Sequence, residues 1–296
     1  MSTPSTAAGD SGPRVPTLLR GFVDDAAVFP PGNAPLAEAV AAHRGHRTAW
    51  YAEMVGPLLV PASSVRELPG LLGPAERPEI GLVGDTGLAA LPKVVAAADR
   101  RVTLRQVEVP VAKRGEDPQP GLEYLLGLLA GWPHVTGYAE IPLSTGLQNA
   151  LDTVAQARAN GSTVAAKFRT GGLAAELFPT PIELAAVICA CRDRGVPFKL
   201  TAGLHNAVRH VDPETGFVHH GFINVLAGVL AAVRDEAEVA DVAEVLATTD
   251  PLPLVEVARG QMEIDRPLWV GFGSCSIDEP LADLSRLGLM LRGAHA

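Results

Sequence analysis

The stretch "TVAAKFRTGG" (163–172) decides the fold, because it begins as a buried strand and ends as a charged turn. Residues 164–166 (Val-Ala-Ala) are typical of a strand covered on both faces, as strands of parallel sheets are. Lys167 and Arg169 then share one face, because the side chains of a strand alternate. Two cations on one face at the end of a buried strand predict a polar site at the edge of a parallel sheet.

Seven further apolar runs are separated by amphipathic stretches. The predicted strands are 21–29, 56–61, 79–85, 102–110, 136–143, 163–170, 197–203 and 268–276, and the predicted helices are 35–45, 63–72, 86–99, 120–131, 145–160, 180–194, 222–247 and 279–292. Eight strands that alternate with helices predict an α/β fold, a (β/α)₈ TIM-type barrel. An open doubly wound sheet is the alternative, but no glycine-rich dinucleotide fingerprint follows an early strand.

The chain divides into a short tail and one barrel. We expect a disordered tail over 1–16 and a single barrel domain over 17–296. The connection 204–267, between strands seven and eight, is too long for a plain loop. It contains a helical region that is long enough for two helices, so we interpret it as an insertion over one end of the barrel.

Composition limits the classes of partner. The chain has 296 residues, 47% of them hydrophobic and 19% charged, with a net charge of −9. This composition supports a large core, and the negative charge argues against nucleic acid or an anionic membrane as partner. The N-terminus does not resemble a secretory signal, and no apolar run is long enough to span a membrane. We therefore expect a cytoplasmic protein, and the sequence leaves room for a homo-oligomer.

The cysteines do not indicate a disulfide framework or a zinc cluster. There are three of them, an odd number without paired spacings. Cys189 and Cys191 fall within a predicted helix, where we expect ordinary packing roles. Cys275 could act as a nucleophile, but the sequence identifies no partner for it.

Charged residues recur on one face of strands four to seven. On each strand they lie opposite an apolar face, which in a barrel packs against the helices. The residues are Glu108 on strand four, Glu140 on strand five, Lys167 and Arg169 on strand six, and Lys199 on strand seven. Active sites of such barrels form at the carboxyl ends of the strands. Buried charges require partners or a ligand, so we predict that these five residues converge in a functional pocket.

Two kinds of chemistry suit these residues. A desolvated lysine beside other cations has a lowered pKa, and its neutral amine can form a Schiff base with a carbonyl. Alternatively, both lysines and Arg169 bind an anionic substrate as cations. In either case Glu108 or Glu140 could transfer protons.

The segments "AAKFRTGG", "PFKLTAGLH" and "VGFGSCS" resemble the last three strands of the deoxyribose-phosphate aldolase family, which belongs to the class I aldolases. The resemblance implies that Lys167 is the Schiff-base lysine and that Lys199 lowers its pKa. It also implies that Gly203, Gly273 and Ser274 border a phosphate group. The strand-four acid is Glu108 where that family has aspartate, and the 204–267 insertion is foreign to the family.

Two other segments carry candidate residues. In "VDDAAVFPPGN" (23–33), Asp24 and Asp25 belong to the end of strand one, so we expect one of them to face the pocket and the other the helix side or a cap. After strand seven, "GLHNAVRHVDPETGFVHHGFINV" (203–225) is rich in histidine. His205 is the best candidate for a pocket acid or base, because it lies two residues after Gly203. These histidines could also hold a metal with Glu108, Glu140 and Asp24, although no helical H-x-x-x-H or H-E-x-x-H spacing is present.

The turn "GFGSCS" (271–276) ends strand eight and precedes a helix. Such turns expose backbone N–H groups to anions, and many barrels bind phosphate at this position.

Together these features predict a barrel enzyme for a small anionic carbonyl or sugar-phosphate-like substrate, with lyase, aldolase or isomerase chemistry through a pocket lysine. The predicted chemistry requires no cofactor. One alternative is a lyase or isomerase that uses a divalent metal held by Glu and His. Another is a barrel that binds a ligand without catalysis.

Overall fold

The computed structural model of the protein describes residues 14–291, and its centre is a closed barrel of eight parallel strands. The barrel strands are β1 (Val23–Asp25), β2 (Val55–Pro61), β3 (Glu79–Val83), β4 (Thr103–Pro110), β5 (Thr136–Glu140), β6 (Val164–Arg169), β7 (Phe198–Thr201) and β10 (Trp269–Ser274), with β8 and β9 in a separate hairpin. Their order around the barrel is β1, β10, β7, β6, β5, β4, β3, β2. The predicted (β/α)₈ barrel is confirmed, and closure of the sheet excludes the doubly wound alternative.

Helices surround the barrel on the outside. They are α1 (Leu36–Thr48), α2 (Leu68–Leu71), α3 (Leu91–Ala97), α4 (Gln119–Leu129), α5 (Leu147–Ala159), α6 (Pro181–Arg194), α7 (Phe222–Arg234), α8 (Val239–Ala247), α9 (Pro251–Arg259) and α10 (Asp278–Arg286). Local sequence sets several boundaries. For example, α6 begins with a capping box between Thr180 and Glu183 and ends at Gly195 in the left-handed conformation. None of the described helices combines the length and apolarity that a membrane span requires.

The long connection between β7 and β10 contains a short hairpin and three helices. The hairpin, β8 (His210–Val211) with β9 (Val218–His219), lies at the carboxyl end of β7, where His219 Nδ1 is 3.1 Å from the Gly203 carbonyl oxygen. Helix α7 packs on the barrel wall, and its Phe222 ring stacks on Phe272 of β10. Helices α8 and α9 pack on α7. The insertion is thus confirmed, but its helices cover the side of the barrel rather than one end.

The predicted tail over 1–16 lies mostly in residues 1–13, outside the described part of the chain. Among the remaining residues, Val15 is buried and precedes a short 3₁₀ turn at Thr17–Leu19.

The amino end of the barrel is closed by Arg266. Its guanidinium donates hydrogen bonds to the carbonyl oxygens of Arg20 and Trp269, among others, and lies 4.8 Å from the centre of the Phe22 ring. Burial lowers the pKa of Arg266 to about 10, although Asp24 and Tyr138 oppose this effect. The predicted charges lie nearer the opposite, carboxyl end, where Arg169 is exposed to solvent.

Candidate functional site

The strand register places the predicted charges side by side inside the barrel. Glu140 on β5 is opposite Lys167 on β6, and Lys167 is opposite Lys199 on β7. Glu108 on β4 is opposite Tyr138 on β5. The intervening apolar residues point to the helices, so the predicted faces of these four strands are correct.

Glu108 is the centre of the resulting network and is almost completely buried. Its Oε1 atom accepts hydrogen bonds from Lys199 Nζ and from Gln106 Nε2, the latter at 2.8 Å. Its Oε2 atom lies 2.7 Å from Lys167 Nζ, as an ion pair rather than an aligned hydrogen bond. Burial would raise the pKa of Glu108, but Lys167 and Lys199 outweigh burial and lower the pKa to about 2. Glu108 is therefore an anion at neutral pH and lies between two cations.

Asp24 forms the inner end of the network. Its Oδ2 atom pairs with Lys199 Nζ and accepts a hydrogen bond of 2.7 Å from Gln106 Nε2. Burial raises the pKa of Asp24, and the attraction of Lys199 offsets only part of that rise. A Cβ atom at Gly56 would lie 1.9 Å from Asp24 Oδ1, so only glycine leaves room for this carboxylate.

Glu140 and Arg169 form the outer end. Glu140 Oε2 is 3.0 Å from Lys167 Nζ, and Glu140 Oε1 is 3.4 Å from Arg169 Nη1. The Arg169 side chain is 46% exposed, whereas those of Lys167 and Glu140 are 4% and 13% exposed. The network thus runs from a buried aspartate to a solvent-exposed guanidinium.

A cleft of about 330 Å³ meets this outer end. It is formed by the loops after β4, β5 and β6, and its walls are apolar apart from six charged residues. These are Lys113, Arg114, Glu140, Arg169, Glu176 and Glu183. Glu140 and Arg169 are the two residues of the network that line this cleft.

The pKa values of the two lysines differ from the prediction. Burial would lower the pKa of Lys167, but Glu108 and Glu140 outweigh burial and raise it. Burial would also lower the pKa of Lys199, but Asp24 and Glu108 outweigh burial and raise it. The predicted lowering of a lysine pKa is therefore wrong, because each ammonium lies between two carboxylates.

The neighbouring Asp25 faces the other way. Its Oδ2 atom is 3.0 Å from His43 Nδ1 on α1, and its Oδ1 atom accepts a hydrogen bond from the Ala27 N–H. Asp24 therefore faces the pocket and Asp25 the helix layer, which is one of the two arrangements that the sequence allowed.

The three residues assigned to phosphate binding lie in or beside tight turns. Gly203 has a φ of +81°, and a Cβ there would lie 2.8 Å from the Thr170 carbonyl oxygen. Gly273 pairs in register with Thr201 and Asp24. Ser274 is buried, and its hydroxyl donates to the Ser276 carbonyl oxygen at 2.7 Å. That hydroxyl holds the turn after β10 together.

His205 does not contact the lysine network. Its Nδ1 atom is 3.2 Å from Glu279 Oε2 and 3.8 Å from Cys275 Sγ. Among the described residues, His205, Cys275 and Glu279 form the group of potential metal ligands whose ligand atoms lie within 4.8 Å of one another. Asp24, Glu108 and Glu140 are bonded to lysines instead, so the predicted metal site of these acids with histidines does not form.

Sequence reasoning did not assign a role to Gln106, Tyr138 or Glu279. Gln106 shares the face of Glu108, so alternation alone could have found it. Tyr138 also lies on the inner face, with its ring centre 5.2 Å from Lys199 Nζ. Glu279 follows the turn after β10, and apart from its position near a helix start nothing in the sequence indicated a functional role for it.

Comparisons of the chain with protein-family models, with curated proteins and with solved structures found no match.

Proposed function

We propose that the protein is a barrel enzyme that acts as a lyase or isomerase on a small anionic carbonyl compound. Lys167 acts as a cation that polarises the carbonyl oxygen, and Glu140 moves a proton on the neighbouring carbon. Arg169 binds the negative charge of the substrate at the mouth of the cleft.

The observation that carries this proposal is the order of charges from the buried end of the network to the cleft. Asp24, Lys199, Glu108, Lys167, Glu140 and Arg169 alternate in sign and come from five strands. Burying ion pairs costs several kcal/mol per ion in desolvation, and apolar side chains often stabilise a fold as well or better. A barrel that keeps such a network beside a cleft supports a catalytic role.

The raised pKa of Lys167 supports its role as a cation. An ammonium held in a desolvated site stabilises the negative charge that develops on a carbonyl oxygen when a neighbouring C–H or C–C bond breaks. Lys199 lies on the far side of Glu108, so it keeps Glu108 ionised and thereby holds Lys167 in place.

Glu140 is suited to proton transfer because it is the only carboxylate of the network that lines the cleft within the described residues. It contacts both Lys167 and Arg169, so a substrate bound between these cations would place its reacting carbon near the carboxylate. General acid–base groups of this kind contribute about 10²- to 10⁴-fold to a rate.

The resemblance to deoxyribose-phosphate aldolases implies a different role for Lys167, as the nucleophile that forms an imine. That step requires a neutral amine. Two carboxylates within 3.0 Å of Lys167 Nζ oppose loss of its proton, so we favour the cationic role.

The test is proton exchange and bond cleavage in D₂O, followed by ¹H NMR on a panel of 2-oxo acids, small aldehydes and sugar phosphates. We expect at least one compound to exchange its α-proton or to be cleaved. Lys167→Met and Glu140→Gln should reduce that rate at least about 100-fold. Lys93→Met, on an exposed position of α3, is the matched control and should leave the rate unchanged.

Two results would contradict the proposal. One is equal turnover in the native protein and in Lys167→Met. The other is saturable binding of panel compounds without exchange or cleavage of any of them, which would identify a barrel that binds its ligand without catalysis.

A further inference from the structure

A second polar group lies at the carboxyl end of the barrel, in the turns that follow β7 and β10. His205 comes after β7, Cys275 comes directly after β10, and Glu279 lies in the first turn of α10. Strands β7 and β10 are neighbours in the sheet. Closure of the barrel therefore brings His205 to Cys275 and Glu279, which lie 70 and 74 residues later in the sequence.

Two of the three spacings between the ligand atoms are close to those of a tetrahedral metal site. Bonds of about 2.3 Å to sulfur and about 2.0 Å to nitrogen or oxygen at tetrahedral angles place S and N about 3.5 Å apart and N and O about 3.3 Å apart. The structure has 3.8 Å from Cys275 Sγ to His205 Nδ1 and 3.2 Å from His205 Nδ1 to Glu279 Oε2. All three atoms lie within 4.8 Å of one another.

The arrangement differs from a nucleophilic Cys–His–acid relay. In such a relay the two ring nitrogens have different partners, one the nucleophile and the other the acid. Here the same atom, His205 Nδ1, faces both Cys275 Sγ and Glu279 Oε2. One nitrogen that faces a thiol and a carboxylate points to a common centre between the three atoms.

The charges and the surrounding backbone also suit a bound cation. Within residues 14–291 the ion-pair partner of Glu279 is His205, with no lysine or arginine. A Cβ atom at Gly32 would lie 2.8 Å from the Ala27 carbonyl oxygen and 3.0 Å from Cys275 Cβ. Only glycine lets this loop approach Cys275 so closely.

We propose that His205 Nδ1, Cys275 Sγ and a Glu279 carboxylate oxygen bind a divalent metal ion of the zinc type. Three protein ligands leave a fourth position for water or for an oxygen atom of a small molecule, as in catalytic rather than structural zinc sites. Mixed sulfur, nitrogen and oxygen ligands suit zinc or cobalt and do not suit magnesium or calcium. This site is separate from the lysine network and does not depend on the proposed lyase or isomerase activity.

Binding has a defined proton balance. The Cys275 thiol loses its proton when sulfur bonds to the metal. Each ion bound at neutral pH therefore releases about one proton to solvent.

The test is titration of the purified, chelator-treated full-length protein with Zn²⁺ and with Co²⁺. We expect one equivalent of Zn²⁺ to bind with release of about one proton. With Co²⁺ we expect the near-ultraviolet charge-transfer absorption of a cobalt–thiolate bond. Cys275→Ser should abolish that absorption. Zn²⁺ binding should weaken by at least about 100-fold in each of Cys275→Ser, His205→Gln and Glu279→Gln. This loss is larger than the loss caused by removing a residue that only hydrogen-bonds to a metal ligand.

Cys189→Ser and His134→Gln are the matched controls, one a thiol in α6 and the other an exposed imidazole. Both should bind the metal like the native protein, and circular dichroism shows whether each variant is folded. The proposal is overturned if the native protein binds no Zn²⁺, or if folded Cys275→Ser retains native affinity. Neither result affects the activity test of the lysine network, because these readouts do not involve turnover.

Discussion

The two polar groups at the carboxyl end of the barrel balance their charges in different ways. In the lysine network every carboxylate lies beside a cation of this chain, and three anions alternate with three cations. In the group of His205, Cys275 and Glu279, a thiol and a carboxylate share one imidazole nitrogen. The charges of the first group are paired within the chain. In the second group, the proposed metal ion supplies the positive charge. This difference predicts that breaking the lysine network strongly destabilises the fold, whereas a mutation in the second group changes the stability of the metal-free protein little.

The largest effect should come from Glu108→Gln. This variant keeps the shape of the side chain but leaves Lys167 and Lys199 buried on either side of a neutral amide. Breaking a buried pair in this way typically costs about 3–5 kcal/mol. Urea unfolding of the variant and the native protein measures this loss.

Glu79→Gln is the matched control for that experiment. Glu79 pairs with Arg105 at the surface, where both side chains are about half exposed, and exposed pairs contribute about 0–1 kcal/mol. Equal unfolding midpoints for Glu108→Gln and Glu79→Gln would show that the network does not hold the barrel together.

The next largest effect should be acid destabilisation. The pKa of Glu108 is about 2 in the fold, below its ordinary value of 4.5, so its ionised form stabilises the fold above pH 4.5. That contribution, about 3 kcal/mol, should be lost as the pH falls from 4.5 towards 2. Asp24 acts in the opposite direction because its pKa is raised.

The measurement is the free energy of unfolding between pH 6 and pH 2.5 for the native protein and for Glu108→Gln. The native curve should fall more steeply in acid, since the variant no longer carries the group that titrates. Parallel curves would place the acid sensitivity elsewhere in the molecule.

A smaller effect is expected for Arg169→Met, because Arg169 is the exposed end of the network. Loss of a hydrogen bond to a charged group costs about 1.5–3 kcal/mol in binding, which is about tenfold or more in affinity. KM for the turned-over panel compound should rise by that factor, and unfolding should change by less than about 1 kcal/mol. Arg105→Met is the control, and an equal KM in both variants would remove Arg169 from the binding site.

The smallest effect is expected for Cys275→Ser in the presence of a chelator. No buried ion pair is broken, so unfolding should change by less than about 1 kcal/mol. Added Zn²⁺ should then stabilise the native protein in proportion to the logarithm of its concentration and leave the variant unchanged. Equal stabilisation of both would place the metal elsewhere.

Much of the lysine network could be predicted from the sequence, because it depends on a local property. Side chains alternate along a strand, so Glu108, Glu140 and Lys167 could be assigned to one face from their immediate neighbours. The pairing of charges could not be predicted in this way. Which carboxylate lies beside Lys167 depends on the register between strands, and that register decides whether its pKa rises or falls.

The second group and part of the long connection were harder to predict. Cys275 had no identifiable partner in the sequence, because His205 reaches it only when the barrel closes with β10 beside β7. Helix α9 was not predicted, although Asp250 caps it by accepting a hydrogen bond from the Leu252 N–H. The cap lies directly before Pro251, and an aspartate before a proline at a helix start is a signal that was present.

The central claim is that Lys167 acts as an ammonium ion, and borohydride trapping during turnover tests it most directly. A panel compound that exchanges or is cleaved is incubated with the protein and sodium borohydride, and intact and peptide masses are then measured. We expect turnover with no added mass on the protein. A reduced adduct on Lys167, absent from Lys167→Met, would contradict it and would establish the imine chemistry of the aldolases instead.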